Sequence, residues 1–232
     1  MNNIYDSIGK YYDVMQRDID YDQIVNLITY YNKNKLPVFD FGCGTGEVVT
    51  RLAKKGVSVF GCDISPTMVD ITNQKLSSIT DCRVVVNDIN GLSQLEQTYG
   101  CVIMTTDTLN YIIDKDDIIQ LGYQFYNCLV TDGYLIVDIQ APRNIIDLDN
   151  YHEVKVLSDD LSLDWYSYRL SKVKPLICHH FKIFKEDELI AEEEHIQVFH
   201  SINYYRSKWF KYFKLEQSYK TPNRYYLVFK RR

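Results

Sequence analysis

The chain has 232 residues, 46% of them hydrophobic and 25% charged, with a net charge of −5 at pH 7. That size fits one large domain, or one domain carrying an insertion. The acidic balance argues against a general nucleic-acid binder, and no apolar run reaches the roughly 18 residues that a membrane-crossing helix needs.

The elements follow in chain order. Asp20 can cap a helix in which Tyr21, Ile24, Val25, Leu27, Ile28 and Tyr31 share one face. The apolar run Pro37-Val38-Phe39 leads into Asp40-Phe41-Gly42-Cys43-Gly44-Thr45-Gly46, and an amphipathic stretch from Val48 to Ala53 follows. This is strand, glycine turn, helix. Glycines admit backbone torsions closed to other residues and let a ligand lie on bare main chain. The helix start presents free N–H groups to a polar ligand.

A second apolar run, Val57 to Cys62, ends at Asp63, 21 residues after Gly42. An acid about 20 residues past such a turn can reach a ribose diol, so a nucleoside-containing cofactor is expected. The spacing is G-x-G-x-G rather than G-x-G-x-x-G, with an acid two residues before the first glycine. An NAD site and a purely structural turn stay open on the motif alone. No P-loop signature is present.

Pro66 opens a further helix after the second strand. Asp116 to Val130 carries helical spacing. Strands alternating with helices imply an α/β fold, a doubly wound and mostly parallel sheet. Ligands of such sheets bind beyond the carboxyl ends of the strands, where Asp40, Asp63, Asp88 and Thr106 all fall.

From Ala141 to Ser201 the pattern becomes alternating and aromatic. Trp165–Leu170, Ile177–Phe184 and Ile190–Phe199 read as a three-stranded antiparallel insertion. Tyr204 to Phe213 reads as a helix, and Leu215–Tyr219 with Tyr225–Phe229 as a closing hairpin. The expected organisation is a cofactor-binding core over 1–140, an antiparallel insertion acting as a substrate lid over 141–201, and the return of the core over 202–232.

The ordered set of strand, acid, three glycines, helix, strand and acid resembles the signature of class I S-adenosylmethionine (SAM) methyltransferases. Tyr5-Asp6-Ser7-Ile8-Gly9-Lys10-Tyr11-Tyr12-Asp13 is similar to the Y-D-x-x-A-x-x-Y-D opening of small bacterial members, with Gly9 in the small position. Arg83 to Ile89 looks like their third strand and its acidic loop, Cys101 to Ile112 resembles their fourth strand and D-S-L-N-Y-L segment, and Gly133 to Asp138 resembles their fifth strand. The relatives implied are sugar-amine N,N-dimethyltransferases and glycine N-methyltransferase-like enzymes. The first half carries the closer match.

This resemblance implies a seven-stranded sheet whose last strand is antiparallel, SAM as cofactor and S-adenosyl-L-homocysteine as product. It implies cofactor contacts from Asp40, Gly42, Cys43, Gly44 and Gly46, from Asp63, Ile64 and Met68, from Asn87, Asp88 and Ile89 near adenine, and from Thr106. Tyr12 and Tyr21 would lie near the methionine end. Asp107 and Tyr111 would line the methyl-transfer end. His179, His180, His195 and His200 are base candidates, and His200, where the insertion re-enters the core, is the favoured one.

A sulfonium methyl is already activated, so the protein mainly positions the reactants and excludes water. An amine must arrive unprotonated and a hydroxyl must lose its proton, so a base can serve either. The leading expectation is N- or O-methylation of a small molecule. An RNA, protein or peptide acceptor and a non-catalytic SAM-binding protein are the alternatives. Thr106-Asp107-Thr108-Leu109 is not [D/N]-P-P-[Y/F], which disfavours base-amine DNA and glutamine methylation.

Residues 201–232 hold nine Lys/Arg against one acid, Glu216. That concentration reads either as a solvated face or as attraction for an anionic substrate or RNA. The cysteines (43, 62, 82, 101, 128 and 178) contain no C-x-x-C pair, which fits a reduced, cytoplasmic setting and offers no metal-site spacing. Met1 to Asp6 lacks the basic start and apolar centre of a secretory signal. No membrane partner is expected, and the oligomeric state is not legible.

Overall fold

The computed structural model describes residues 4–94 and 98–232. Strands β1 (Val38–Phe41), β2 (Val59–Asp63), β3 (Cys82–Val86), β4 (Tyr99–Met104), β5 (Leu129–Gln140), β10 (Phe213–Lys220) and β11 (Arg224–Arg231) form one sheet. Its order is β10-β11-β5-β4-β1-β2-β3. The pairs of β1 with β2 and β4, of β2 with β3 and of β4 with β5 are parallel, whereas β11 runs antiparallel to both β5 and β10.

Both faces of this sheet are covered, which is why β1 and β4 are buried along their whole length. Side chains alternate between faces along a strand. Phe39, Phe41, Val102, Met104, Leu135, Val137, Leu227 and Phe229 pack with helices α5 (Lys115–Cys128) and α7 (Ile202–Trp209). Val38, Cys101, Ile103, Ile136 and Val228 pack with α2 (Tyr21–Tyr31), α3 (Glu47–Lys54) and α4 (Pro66–Lys75). Helices α5 and α7 approach closely because Gly122 lacks a side chain: a Cβ there would lie 2.3 Å from Trp209 Cδ1. The Trp209 indole N–H donates to the Ile118 carbonyl at 2.7 Å, so this buried ring keeps its polar group satisfied.

Caps set the helix starts. The Asp20 carboxylate accepts the Gln23 N–H at the head of α2, the Ser65 hydroxyl accepts the Met68 N–H ahead of α4, and Asp114 caps α5. Ser201 likewise accepts the Tyr204 N–H. That cap starts α7 two residues earlier than the sequence reading, and Phe213 opens β10 rather than ending the helix.

A second, antiparallel sheet consists of β6 (Tyr151–Val156), β7 (Leu161–Arg169), β8 (Leu176–Lys185) and β9 (Glu188–Val198), in that order. Four strands stand where three were expected. The added one, β6, is an edge strand with most of its residues exposed, so it has no apolar run to mark it. The short helix α6 (Asn144–Asp147) leads into it. Asn110 fastens the two sheets: its amide donates to the Val198 carbonyl at 2.7 Å and accepts the Gln140 N–H at 3.1 Å.

The N-terminal segment lies between the sheets. Helix α1 (Tyr12–Met15) ends it, and Ile8 packs with Leu157, Leu163, Ile183 and Ala191. Among the described residues no helix is long and apolar enough to cross a membrane, the six cysteines are free, and no group of side chains could hold a metal ion.

Candidate functional site

The glycine turn between β1 and α3 is built on three left-handed residues, Gly42, Gly44 and Gly46, with φ of 75°, 54° and 78°. Two of them are enclosed. A Cβ at Gly42 would lie 2.2 Å from Thr108 Cγ2, and one at Gly46 would lie 2.5 Å from Thr72 Cγ2. Gly44 is open, with nothing within 4 Å of an added Cβ. The turn is held at the end of β2: the Gly42 and Cys43 N–H groups donate to the Cys62 carbonyl, and the Gly44 N–H donates to Asp63 Oδ2 at 2.8 Å.

Asp63 Oδ1 also accepts the Ser65 N–H at 3.0 Å. Burial pushes the Asp63 carboxyl up, and these two N–H bonds pull against it. Asp40 is buried with Oδ1 unpartnered, and burial, then the Asp63 charge, pushes its carboxyl up to about 8. Beside them Ile64 is 55% exposed, and the Asn87 N–H donates to the Asp63 carbonyl. Open main chain at Gly44, a buried acid with an unpartnered oxygen near Asp63 and an exposed apolar side chain next to Asp63 in the chain could together hold a nucleoside.

A buried charge cluster stands at the ends of β4 and β5. Asp107, left-handed at φ 72°, receives Arg224 in fork geometry, with N–O distances of 2.5 and 2.9 Å. Gln140 adds a 3.0 Å bond to Asp107. The same guanidinium reaches Asp138 at 2.9 Å, and Asp138 accepts the Thr106 and Asp107 N–H groups at 3.0 Å each. Burial raises the Asp138 carboxyl, with the Arg224 charge opposing. The cluster ties the loop after β4 to β5 and β11.

Between the sheets lies a cavity of about 730 Å³, lined by the N-terminal segment, the loop after β4, the β10–β11 turn and the inner face of the second sheet. Its wall includes Tyr5, Tyr12, Thr106, Asp107, Tyr111, Trp165, His179, Phe181, Gln197 and Arg224. A chain of hydrogen bonds leaves this wall. The Tyr5 and Tyr111 hydroxyls are 2.6 Å apart, Tyr111 is 2.9 Å from His195 Nδ1, and His195 Nε2 is 2.8 Å from Glu193 Oε2. Burial alone would raise the Glu193 carboxyl. The bonds from His195 and from the Ser7, Tyr5 and Ile8 N–H groups outweigh it and hold the group at about 2. An ionised Glu193 accepts His195 Nε2–H, so Nδ1 accepts from Tyr111.

His179 takes the same tautomer for a different reason. The Trp165 indole only donates, and it donates to His179 Nδ1 at 3.2 Å, which leaves the proton on Nε2. Burial pushes His179 down to about 4, so it stays neutral.

The residues singled out by sequence divide accordingly. Thr106, Asp107, Tyr111 and Tyr12 line the cavity. Gly42, Cys43, Gly44, Gly46, Asp40, Asp63 and Ile64 gather at the turn. Asp88 lies past β3 and uses its carboxylate to cap the turn that follows, accepting from Asn90 and Gly91, and Asn87 accepts the Asp88 N–H. Ile89 packs against the core. Met68 is fully buried in α4, and its Cε would touch a Cβ at Gly9, so it is packing beneath the site. Tyr21 lies outside the cavity wall, with the Arg51 guanidinium 5.6 Å from its ring centroid.

His200 lies apart from the cavity. Its ring stacks on Tyr204 at 3.7 Å between centroids and is not among the cavity-lining residues. The chain leaves the second sheet at Val198, and the side chain turns onto α7 rather than inward. The sequence offers His179 and His195 among its base candidates but favours His200; it gives Tyr5 no role at the site and does not point to Arg224 or Glu193. Glu193 and His195 share the inner face with Gln197 at alternate positions of β9, a period-2 signal that needs the inner parity to be known.

Comparison with known proteins bears on the family and the fold. The family described as methyltransferase domain matches residues 38–133. The Bacillus subtilis (strain 168) protein YqeM, described as a methyltransferase, is 28% identical over 165 residues, covering 71% of this chain and 67% of that protein. The fold is similar to that of an S-adenosylmethionine-dependent methyltransferase from Clostridium acetobutylicum ATCC 824, with TM-score 0.82 and 21% identity over 98% of this chain and 99% of the other. It is also similar to SAM-bound CalS10, an amino pentose methyltransferase from Micromonospora echinaspora, with TM-score 0.75 and 14% identity over the full length of both chains.

Proposed function

We propose that this chain, a class I SAM-dependent methyltransferase, methylates the amine nitrogen of a small molecule held in the cavity between its two sheets. SAM supplies a methyl group made electrophilic by its sulfonium. In this reading the main chain at Gly42, Cys43, Gly44 and Gly46, with Asp63, Ile64, Asn87 and Thr106, would hold the cofactor, and Asp63 would accept from the ribose hydroxyls. The second sheet acts as the lid that excludes water and selects the acceptor.

The charge of the cavity wall supports the amine. Asp18, Asp20, Asp107, Asp147 and Glu153 line it against only Lys155 and Arg224. Both bases are already paired, Lys155 with Asp18 and Arg224 with Asp107 and Asp138. Tyr5, Tyr12, Tyr111, Trp165 and Phe181 add aromatic surface. Acids draw a cation in, and aromatic faces hold one at about 0.5–2 kcal/mol each. An RNA acceptor calls for a basic wall instead.

An ammonium must shed a proton before its lone pair can attack. Tyr5 and Tyr111 stand at the wall, and the chain behind them leads to His195 (1% exposed). The amine proton passes to Tyr5, the Tyr5 proton to Tyr111 and the Tyr111 proton to His195 Nδ1. The resulting imidazolium faces the Glu193 carboxylate.

The test has two stages. SAM at a hundred times its dissociation constant stabilises a protein that binds it only when folded by about 2.7 kcal/mol, so the melting temperature rises. Matched small amines and alcohols are then compared by S-adenosylhomocysteine release. An unchanged melting temperature refutes the cofactor site. Release with alcohols or RNA but not with amines refutes the acceptor class.

A further inference from the structure

One carboxylate receives an unusual number of donors. Glu193 accepts the backbone N–H groups of Tyr5 at 2.8 Å, Ser7 at 2.5 Å and Ile8 at 3.2 Å, the Ser7 hydroxyl at 3.0 Å, and His195 Nε2–H at 2.8 Å. The first four donors belong to the N-terminal segment, and the fifth belongs to the relay behind the cavity wall. The far end of the same segment is tied elsewhere. Asp13 accepts the Thr45 hydroxyl at 2.5 Å, inside the glycine turn, and pairs with Lys75 at 2.6 Å, which also holds Glu47 at the start of α3. Residues 5–13 therefore bridge the second sheet and the cofactor turn, with Ile8 buried midway.

We infer that Glu193 is the positioning residue that couples the two halves of the site: it seats residues 5–8 so that Tyr5 meets Tyr111, orients His195, and through Asp13 links the acceptor wall to the glycine turn. This rests on the reading of the cavity as the acceptor site. Without the seated segment the wall loses Tyr5 and Tyr12, so the acceptor pocket is complete only when residues 5–13 are docked at both ends. A cofactor on the turn steadies Thr45 and so favours docking. By linkage, docking raises affinity for the cofactor by the same factor. Cofactor binding thus prepares the acceptor pocket.

Amide hydrogen exchange over residues 4–13, with and without S-adenosylhomocysteine, reads this directly and needs no acceptor. In the wild type the product should slow exchange at residues 5–8 about five-fold or more, the lower end of ordinary site-to-site coupling. Glu193→Gln should exchange faster there with or without product, and should bind the product more weakly by a comparable factor. Asp13→Ala, which removes the acceptor of the Thr45 hydroxyl, should keep the slow exchange that depends on Glu193 but lose the product-induced increment, a separation that a merely structural role would not yield. Should Glu193→Gln fail to fold, Ser7→Ala removes one of the five donors and should shift exchange in the same direction by less. Equal exchange at residues 5–8 with and without bound product, or undiminished product affinity in folded Glu193→Gln, overturns the coupling. Absence of product binding in the wild type overturns the cofactor site itself, and faster exchange in Glu193→Gln alone would then be a purely structural clamp, which also overturns it.

Discussion

Replacing Arg224 by Met isolates the buried charge cluster. The guanidinium is the counter-charge for two carboxylates at once, Asp107 by a fork and Asp138 by a single bond. Asp138 is fully buried, and its carboxyl is already raised by burial with only Arg224 and two N–H groups opposing. Removing one partner of a buried pair costs about 3–5 kcal/mol, because the remaining charge keeps its desolvation penalty. At about 2–4 °C per kcal/mol for a chain of this size, the melting temperature should fall by roughly 6–20 °C at pH 8.

The loss should depend on pH. A carboxyl whose folded pKa lies above its unfolded value is most favourable to folding when protonated, and that advantage disappears as pH rises through the folded pKa. Without Arg224 the Asp138 carboxyl rises further, so Arg224→Met should be closest to wild type near pH 5 and fall away towards pH 8. Thermal unfolding of both proteins at several pH values provides the comparison. A melting temperature within 2 °C of wild type throughout (about 1 kcal/mol or less), or a deficit that does not change with pH, would refute the view that this arginine neutralises the cluster.

Asp63→Ala should weaken SAM binding by about 1.5–3 kcal/mol, the range for bonds to a charged group, as read by calorimetry; equal affinity would assign Asp63 to holding Gly44 and Ser65 alone. Gly44→Ala and Gly42→Ala should separate in their effects. Both strain a left-handed residue by about 1–2 kcal/mol, but only Gly42→Ala also drives a methyl group into Thr108, so it should lower the melting temperature more, whereas Gly44→Ala should lose SAM affinity; the reverse order would place the ligand elsewhere. His200→Ala should leave both SAM affinity and turnover near wild type, and a large loss of turnover would return His200 to the site.

The cofactor half of the fold was legible because its signals are local. Buried parallel strands leave contiguous apolar runs, as from Val57 to Cys62, and the turn between β1 and α3 needs glycine at fixed offsets. The acceptor half was less legible. Strand β6 is mostly exposed, so Tyr151 to Val156 carries no run to betray it. Arg224 meets Asp107 across 117 residues, and Glu193 meets Ser7 across 186, so neither contact has a local signature. His200 followed from position in the chain, and position does not say which way a side chain turns.

Parity decides the rest. On β9, Glu193, His195 and Gln197 face inward while Glu192 faces out to pair with His180 and Lys182. A slip of one residue would put Glu192 and Glu194 under the cavity and send the His195 relay to solvent, since successive side chains of a strand point to opposite faces. The pairing of β8 with β9 does contain an irregularity, between Ile183 and Phe184. It lies towards the Glu186–Asp187 hairpin, beyond the relay, so His179 still sits directly opposite His195. The acidic run Glu192-Glu193-Glu194, which looks uniform in the sequence, is thereby divided into a solvent-facing ion pair and a buried acceptor for the N-terminal segment.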